Sequence, residues 1–404
     1  MKVKGFLKDV GGASRVTKTR LESFENASDR PDMTDPIADV ARAWHPGWLD
    51  LVVSEVTDIS KTSKAVRFRR ADGEPMQYFY AGQYMVLDFP IGESVISRPY
   101  TVSSAPCRAR GGDGYVEICV RRPKEDGFIA DYVNEKVKPG DTFRGLIGCG
   151  QFYFEPLRDS RTVVAIAGGV GITPFASMAE EVADGKLDID LTILYGSVSS
   201  DDIIMRDRLE AIEKRCDKVK VVNILSGDEP GWKGERGFID ARRIRKYSPA
   251  GVENTTYFVC GPQVMYGFIE KAFDELDVPK RRRRFEVFGQ AADVTALEGY
   301  PEDMKDKTDT EYELTVVRGI SETVIPAKAG ESLVTALERA GIRTETGCRS
   351  GECGFCRTKV LSGNVFISPK SEGLRAADRD FGYVHACAAY PLSNAKIRIP
   401  IAQK

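Results

Sequence analysis

Three hydrophobic rhythms follow one another along the chain. From residue 51, short β-rich runs, Leu51–Val56, Ala65–Phe68 and Tyr84–Phe89, are separated by turn residues, and helical periodicity stays sparse to about residue 128. That rhythm predicts an antiparallel barrel. From about residue 160 the order becomes strand, Gly-rich turn, helix, strand: Arg161–Ala167, then Thr173–Ala183, then Leu187–Tyr195. This predicts an α/β domain on a parallel sheet. Past residue 310 come two hairpin-like strands, Leu314–Val317 and Thr323–Pro326, and a helix over Ser332–Ala340. Ahead of all three, the first 48 residues are polar and mixed in charge, with one short helix predicted over Asp35–Trp44, where Asp35 caps and Pro36 fills the first turn. Residues 291–309 are acidic and without period, which is linker composition. The expected division is therefore 1–48, 49–158, 159–290, a linker 291–309, and 310–404.

Composition narrows the picture by exclusion. The chain has 404 residues, enough for two or three cores, and its formal net charge of −2 gives no general pull toward nucleic acid or an anionic membrane. No apolar run reaches the length of a membrane span, and the cytoplasm is the expected compartment. The only histidines are His45 and His385, so histidine-based catalysis and a His-rich metal centre are disfavoured. Nine cysteines, an odd number, with no secretory segment at the start, argue against a disulfide framework.

Four of those cysteines carry the chemistry. Cys348, Cys353, Cys356 and Cys387 are spaced C-x4-C-x2-C with a distant fourth, the plant-type ligand pattern for a 2Fe-2S cluster. Zinc also takes four thiolates, but usually as two C-x2-C pairs, and one such pair is present. Glycines 347, 351 and 354 allow the sharp bends between ligands and leave backbone N–H groups free to face the sulfurs.

In the barrel region, Arg98, Tyr100 and Val102 alternate and so share one face of a strand. Such a face can serve a flavin: the guanidinium binds a phosphate, the phenol packs on a ring or ribose, and Thr101 hydrogen-bonds the isoalloxazine. Arg98-Pro99-Tyr100-Thr101 resembles the R-x-Y-[ST] fingerprint of the ferredoxin-NADP+ reductase superfamily. Gly82-Gln83-Tyr84, Ile118 to Arg122, Gly168 to Pro174, Cys260-Gly261-Pro262 and Arg284 to Gly289 continue that resemblance in order. It implies a flavin-binding β-barrel, a nucleotide-binding α/β domain and a β-grasp ferredoxin domain. Where the family has G-x-x-[ST] at the flavin pyrophosphate, this chain has Gly127-Phe128-Ile129-Ala130, which loses the hydroxyl and keeps the backbone donors. Cys119-Val120 resembles the segment that holds the adenylate half, so FAD is expected, with FMN as the alternative.

For the nicotinamide nucleotide, the resemblance implies that Gly169, Gly171 and Thr173 form the pyrophosphate turn, with Gly261 and Pro262 nearby. It places Cys260 near the reacting nicotinamide carbon, makes Glu286 an aid to positioning or proton relay, and makes Phe288 the aromatic that covers the flavin. Val198 stands where relatives that use NADPH often carry an arginine, and Asp201 and Asp202 would repel a 2′-phosphate. NADH is expected, with NADPH as the alternative. The domain order resembles reductase components of Rieske or di-iron oxygenases and of the hybrid-cluster protein, which implies electron flow from NADH through FAD and the cluster to a one-electron acceptor protein. The residues leave that acceptor unidentified; a slightly basic ferredoxin domain points to a partner that is not strongly basic. A redox sensor, or a diaphorase that needs no protein acceptor, are the competing readings.

Overall fold

The structure, a computed structural model, describes residues 6–26, 35–44, 47–92, 94–110, 114–122, 127–291, 293–369, 371 and 373–401. It divides into two units, Met1–Pro46 and Gly47–Lys404. The first unit holds helix α1 (Phe6–Glu25) and helix α2 (Pro36–Trp44). The expected cap is present, since the Ile37 N–H donates to Asp35 Oδ1 at 3.1 Å. Helix α1 was not foreseen. Within it Thr17, Thr19 and Ser23 each donate to the carbonyl four residues back, which keeps these hydroxyls bonded inside the helix. His45 lies outside the described residues.

The second unit begins with six antiparallel strands: β1 (Trp48–Ser60), β2 (Ser63–Arg70), β3 (Tyr84–Ile91), β4 (Ser94–Thr101), β5 (Val116–Arg121) and β6 (Thr142–Cys149), in the order β4-β3-β6-β1-β2-β5. The edges β4 and β5 meet through a bridge between Val102 and Ile118 and a 2.7 Å bond from Ser103 N–H to the Glu117 carbonyl, so the sheet closes on itself. Closure removes the exposed edges. Leu51, Phe68, Met85, Leu87, Phe89 and Phe143 fill the interior. Helix α3 (Phe128–Lys136) packs Ile129 and Val133 into the same core.

The next six strands form an all-parallel sheet: β7 (Thr162–Gly168), β8 (Asp190–Ser197), β9 (Val219–Leu225), β10 (Glu235–Arg236), β11 (Thr256–Cys260) and β12 (Arg283–Glu286), in the order β10-β9-β8-β7-β11-β12. The apolar run of β7 is continuous because both faces are covered: Val163, Ala165 and Ala167 enter one core, Val164 and Ile166 the other. Helices α4 (Thr173–Ala183), α5 (Arg206–Arg215), α6 (Ala241–Lys246) and α7 (Gln263–Glu275) supply the covering. The chain starts at β7, steps one way to β8, β9 and β10, then returns to the other side of β7 with β11 and β12. The switch point therefore lies between the carboxyl ends of β7 and β11, where open α/β sheets bind ligands.

The last sheet is mixed, in the order β14-β13-β19-β15-β17. Its strands are β13 (Glu311–Arg318), β14 (Ser321–Lys328), β15 (Arg357–Ser362), β17 (Tyr383–His385) and β19 (Ala395–Arg398), and β16 (Val365–Ile367) pairs separately with β18 (Ala389–Pro391). Helix α8 (Leu333–Arg339), capped by Ser332, lies across it with Leu333, Val334, Ala336 and Leu337 buried, and a short α9 (Ala376–Asp380) follows. The segment 291–309, acidic enough to read as linker, holds two 3₁₀ turns instead, and buries Val294, Tyr300 and Met304 against Ala329, Phe366 and Tyr390. Three well-spaced apolar anchors suffice to strap a polar segment down, and they leave no helical or strand period to read.

Candidate active site

The carboxyl end of β11 and its neighbour β12 pair in register, so Cys260 stands beside Glu286. Thr101, at the end of β4, reaches across from the barrel and donates to Glu286 Oε2 at 3.1 Å, and Cys260 Sγ lies 3.8 Å from the same oxygen. Three residues far apart in the chain thus converge on one carboxyl. Glu286 is only 6% exposed, and burial raises its pKa well above the usual carboxyl range, which favours its neutral form. Burial likewise pushes the Cys260 thiol well up, with the neighbouring Glu286 adding to the shift. The Tyr266 hydroxyl donates to the Glu286 carbonyl and accepts from Gly261 N–H at 3.2 Å, tying the ends of the two strands together.

Beside these groups the Gly-rich turn makes a tight cradle. Gly169 has φ +54°, and a Cβ on Gly171 would stand 2.5 Å from the Cys260 carbonyl carbon and 2.7 Å from Gly261 N. Only glycine lets the turn lie this close to the carboxyl end of β11. Thr173 opens α4 but spends its hydroxyl on the Val170 carbonyl, 3.1 Å away, and Pro262 precedes α7 as its cap residue. Arg121, absent from the expected set although it follows Val120 directly, reaches this cradle from the barrel. Its guanidinium pairs with Asp202 at 3.2 Å, and its Nη1 would lie 3.0 Å from a Cβ on Gly169. Asp201 is also paired, with Lys61 at 3.3 Å, so the two acids offered as a barrier to a 2′-phosphate are each partly neutralised.

On the barrel, Arg98 and Tyr100 sit opposite Leu87 and Met85 of β3. Tyr100 packs edge-on against Phe89, and burial raises its phenol pKa. Arg98 curls away to Glu338 of α8, at 3.4 Å, where Arg349 also arrives. Two guanidiniums on one carboxylate leave a surplus positive charge, which suits a flavin phosphate. Other expected flavin residues are occupied in packing: Val120 and Ile129 in the barrel core, Cys119 in the core of the nucleotide sheet. Their side chains are taken up in core packing, which leaves their backbone to serve a ligand. Gly127 stands at the N-terminus of α3, and Phe128 is 61% exposed beside it.

The cysteine loop brings the third set of groups together. Cys348 Sγ accepts N–H bonds from Ser350, Glu352 and Cys353 at 3.3–3.4 Å, and Cys353 Sγ accepts one from Cys348 N–H at 3.4 Å. The thiols of Cys353 and Cys387, with these backbone donors, hold the Cys348 thiol far below its usual range. Hydrogen-bonding contacts run Cys353, Cys348, Cys387, Cys356 in succession. Among the described residues no His, Cys, Asp or Glu group is gathered as for a single ion; a 2Fe-2S cluster takes four cysteine thiolates. The loop fits such a cluster in two further ways. The Ser350 hydroxyl is buried without a partner among the described residues, and a Cβ on Gly347 would lie 3.0 Å from Cys353 Sγ. Cys348 and Cys353 pack with Tyr84, Val86, Cys149 and Phe288. Phe288 meets Tyr84 edge-on at 5.2 Å between ring centres, and Gly289 N–H donates to the Cys348 carbonyl at 3.3 Å. Phe288, two residues past Glu286 in the chain, thus packs against the cluster loop.

Residues 50–154 match the oxidoreductase FAD-binding domain, 165–271 the oxidoreductase NAD-binding domain, and 317–392 the 2Fe-2S iron-sulfur cluster binding domain. Ferredoxin–NADP reductase B of Sorangium cellulosum is 30% identical over 238 residues, covering 58% of this chain and 94% of that protein. The chain belongs to the ferredoxin-NADP+ reductase family. The glycine betaine monooxygenase reductase subunit of Chromohalobacter salexigens extends the match to the whole three-domain order, at 27% identity over 337 residues, 81% of this chain and 89% of that one. The fold is that of phthalate dioxygenase reductase, with a TM-score of 0.62 at 20% identity over 91% of this chain and all of that one. The reductase is an NAD(P)H-dependent oxidoreductase with an FAD-binding barrel, an NAD-binding domain and a C-terminal 2Fe-2S domain. Arg121 at the nucleotide cradle was passed over by motif reading, as was the ion pair of Glu338 with Arg349, which lies between the barrel and the cluster loop.

Proposed function

We propose that this reductase takes electrons from NADH through FAD and the 2Fe-2S centre to the oxygenase component of a Rieske-type or related monooxygenase, in the cytoplasm. The observation that carries the proposal is the packing of Phe288, two residues past the Glu286 that pairs with Cys260, with Cys348 and Cys353 of the cluster loop. FAD bound against β4 would accept electrons as a hydride pair and pass them on singly, as an iron-sulfur centre requires. In this reading the Gly169–Gly171 cradle and Arg121 bind the dinucleotide phosphates, and Cys260 and Glu286 orient the nicotinamide. Thr101 holds the Glu286 carboxyl in place, and Phe288 with Tyr84 excludes water between flavin and cluster loop. Arg98 and the start of α3 take the flavin phosphates, and Cys348, Cys353, Cys356 and Cys387 hold the cluster.

Support for the acceptor comes from relatives named as reductase subunits of glycine betaine monooxygenase and of stachydrine N-demethylase. The NADH preference rests on Val198, 61% exposed, in the place of a 2′-phosphate arginine. No helix of the described residues is long and apolar enough to cross a membrane, and all nine cysteines are free, as reducing conditions favour. The test is NADH-dependent reduction of a purified Rieske oxygenase component by catalytic amounts of this protein. Transfer that disappears in Cys356→Ser supports the proposal. Equal transfer by the variant, or none by the wild type, contradicts it.

A further inference from the structure

Between the barrel and the ferredoxin domain lies a buried ion cluster that no motif records. Glu338, in the last turn of α8, has its side chain 9% exposed and accepts from Arg349 Nη1 at 2.6 Å. The same carboxylate faces Arg98 Nη1 at 3.4 Å, and Arg349 Nη1 also lies 3.5 Å from the Ser97 carbonyl of β4. Arg349 follows the ligand Cys348 directly and holds φ +60°, a left-handed conformation unusual for a long side chain, while being only 5% exposed. Such a conformation persists where surrounding contacts over-determine it. Here the contact is Glu338.

We propose that Glu338 is a positioning residue that clamps the cluster loop onto the flavin strand, with Arg349 on one side and Arg98 on the other. The inference rests on the electron path proposed above and adds what sets its geometry. A carboxylate shared by two arginines ties the first turn of the cluster loop to β4, so the distance between flavin and cluster follows from this ion cluster. Further contacts at the same interface strengthen the clamp: Arg343 pairs with Asp88 of β3 at 2.8 Å, and Ser94 Oγ donates to the Glu338 carbonyl at 3.3 Å. Removing one partner leaves a buried charge unmatched, which drives the domains toward undocked arrangements. Transfer through the docked arrangement then falls in proportion to its population.

The experiment uses the fully loaded protein and the variants Glu338→Gln and Glu338→Asp, mixed anaerobically with NADH and followed at flavin and cluster wavelengths. The expected result is an unchanged flavin-reduction phase, a cluster-reduction phase slowed roughly tenfold in Glu338→Gln as the docked population falls, and partial rescue in Glu338→Asp. A second readout is independent of activity: amide hydrogen exchange in residues 333–352 and in β4 rises in Glu338→Gln with the cluster oxidised. Arg343→Met, which weakens the same interface without touching either arginine of the clamp, gives a smaller change of the same kind and covers the case of a poorly folded first variant. Wild-type cluster reduction and exchange in Glu338→Gln would overturn the clamp, as would equal slowing of both phases. A wild-type cluster that NADH never reduces would instead overturn the electron path itself.

Discussion

The contact between the Gly-rich turn and the end of β11 can be broken with one methyl group. In Gly171→Ala the new carbon would collide with the Cys260 carbonyl oxygen and lie 2.5 Å from its carbon, and ordinary contact begins at 3.4 Å, so the turn and the strand must separate by more than about 0.9 Å. The atoms on the far side are backbone, so no side chain can swing aside. Overpacking of this kind costs about 1–3 kcal/mol, and about 2–4 °C of Tm accompanies each kcal/mol in domains of this size. Function should suffer more than stability, because displacement of a reacting group by about 1 Å can cost roughly a hundredfold in rate. Flavin reduction by NADH should therefore fall by about two orders of magnitude in stopped-flow absorbance, with the flavin still bound. The control is Gly267→Ala. Gly267 lies inside α7 with nothing within 4 Å of its added Cβ, so alanine there should stabilise by up to about 1 kcal/mol through helix propensity and leave the rate alone. Wild-type hydride transfer and Tm in Gly171→Ala would show that the turn does not close on Cys260 as described.

Other consequences can be checked separately. Because folding raises the Glu286 pKa, the native state binds a proton that the unfolded chain releases as pH rises past the ordinary carboxyl range; stability attached to this group is complete at low pH and is lost as pH climbs toward the folded value. Glu286→Gln removes that loss, so in urea denaturation its stability relative to wild type should improve as pH rises above the ordinary carboxyl range, and parallel pH profiles would contradict the burial argument. Cys356→Ser removes a proposed ligand that is 2% exposed, and should abolish the cluster's visible absorbance and its electron-spin signal on reduction while NADH still bleaches the flavin. Retention of a full cluster signal would exclude Cys356 as a ligand.

What the sequence disclosed was mostly local. The spacing of Cys348, Cys353 and Cys356 is set within one loop, and the apolar run at Thr162–Ala167 predicts a strand covered on both faces, as β7 is. Residues joined only by the fold were less legible. Thr101, Cys260 and Glu286 meet through the closure of the barrel against the parallel sheet, and no spacing rule links them; the ordered motif series did. Cys119 and Val120 lie in a motif segment, yet their side chains serve two different cores, because alternation along a strand sends neighbouring residues to opposite faces, and Ile129 serves the barrel core from the buried side of α3. The Arg98–Glu338–Arg349 cluster joins three segments, and while Arg98 reads as a flavin-phosphate ligand, Glu338 and Arg349 alone read as solvated charges. Helix α1 escaped notice because Gly11 and Gly12 interrupt it and its surface carries no continuous apolar stripe.

The most direct test of the electron path is a single anaerobic mix of the oxidised protein with NADH, followed at once at the flavin and cluster bands. The account predicts loss of flavin absorbance first, then loss of cluster absorbance at a rate independent of protein concentration, as transfer within one chain requires. Bleaching of the flavin alone, with the cluster still oxidised after NADH is spent, would contradict it.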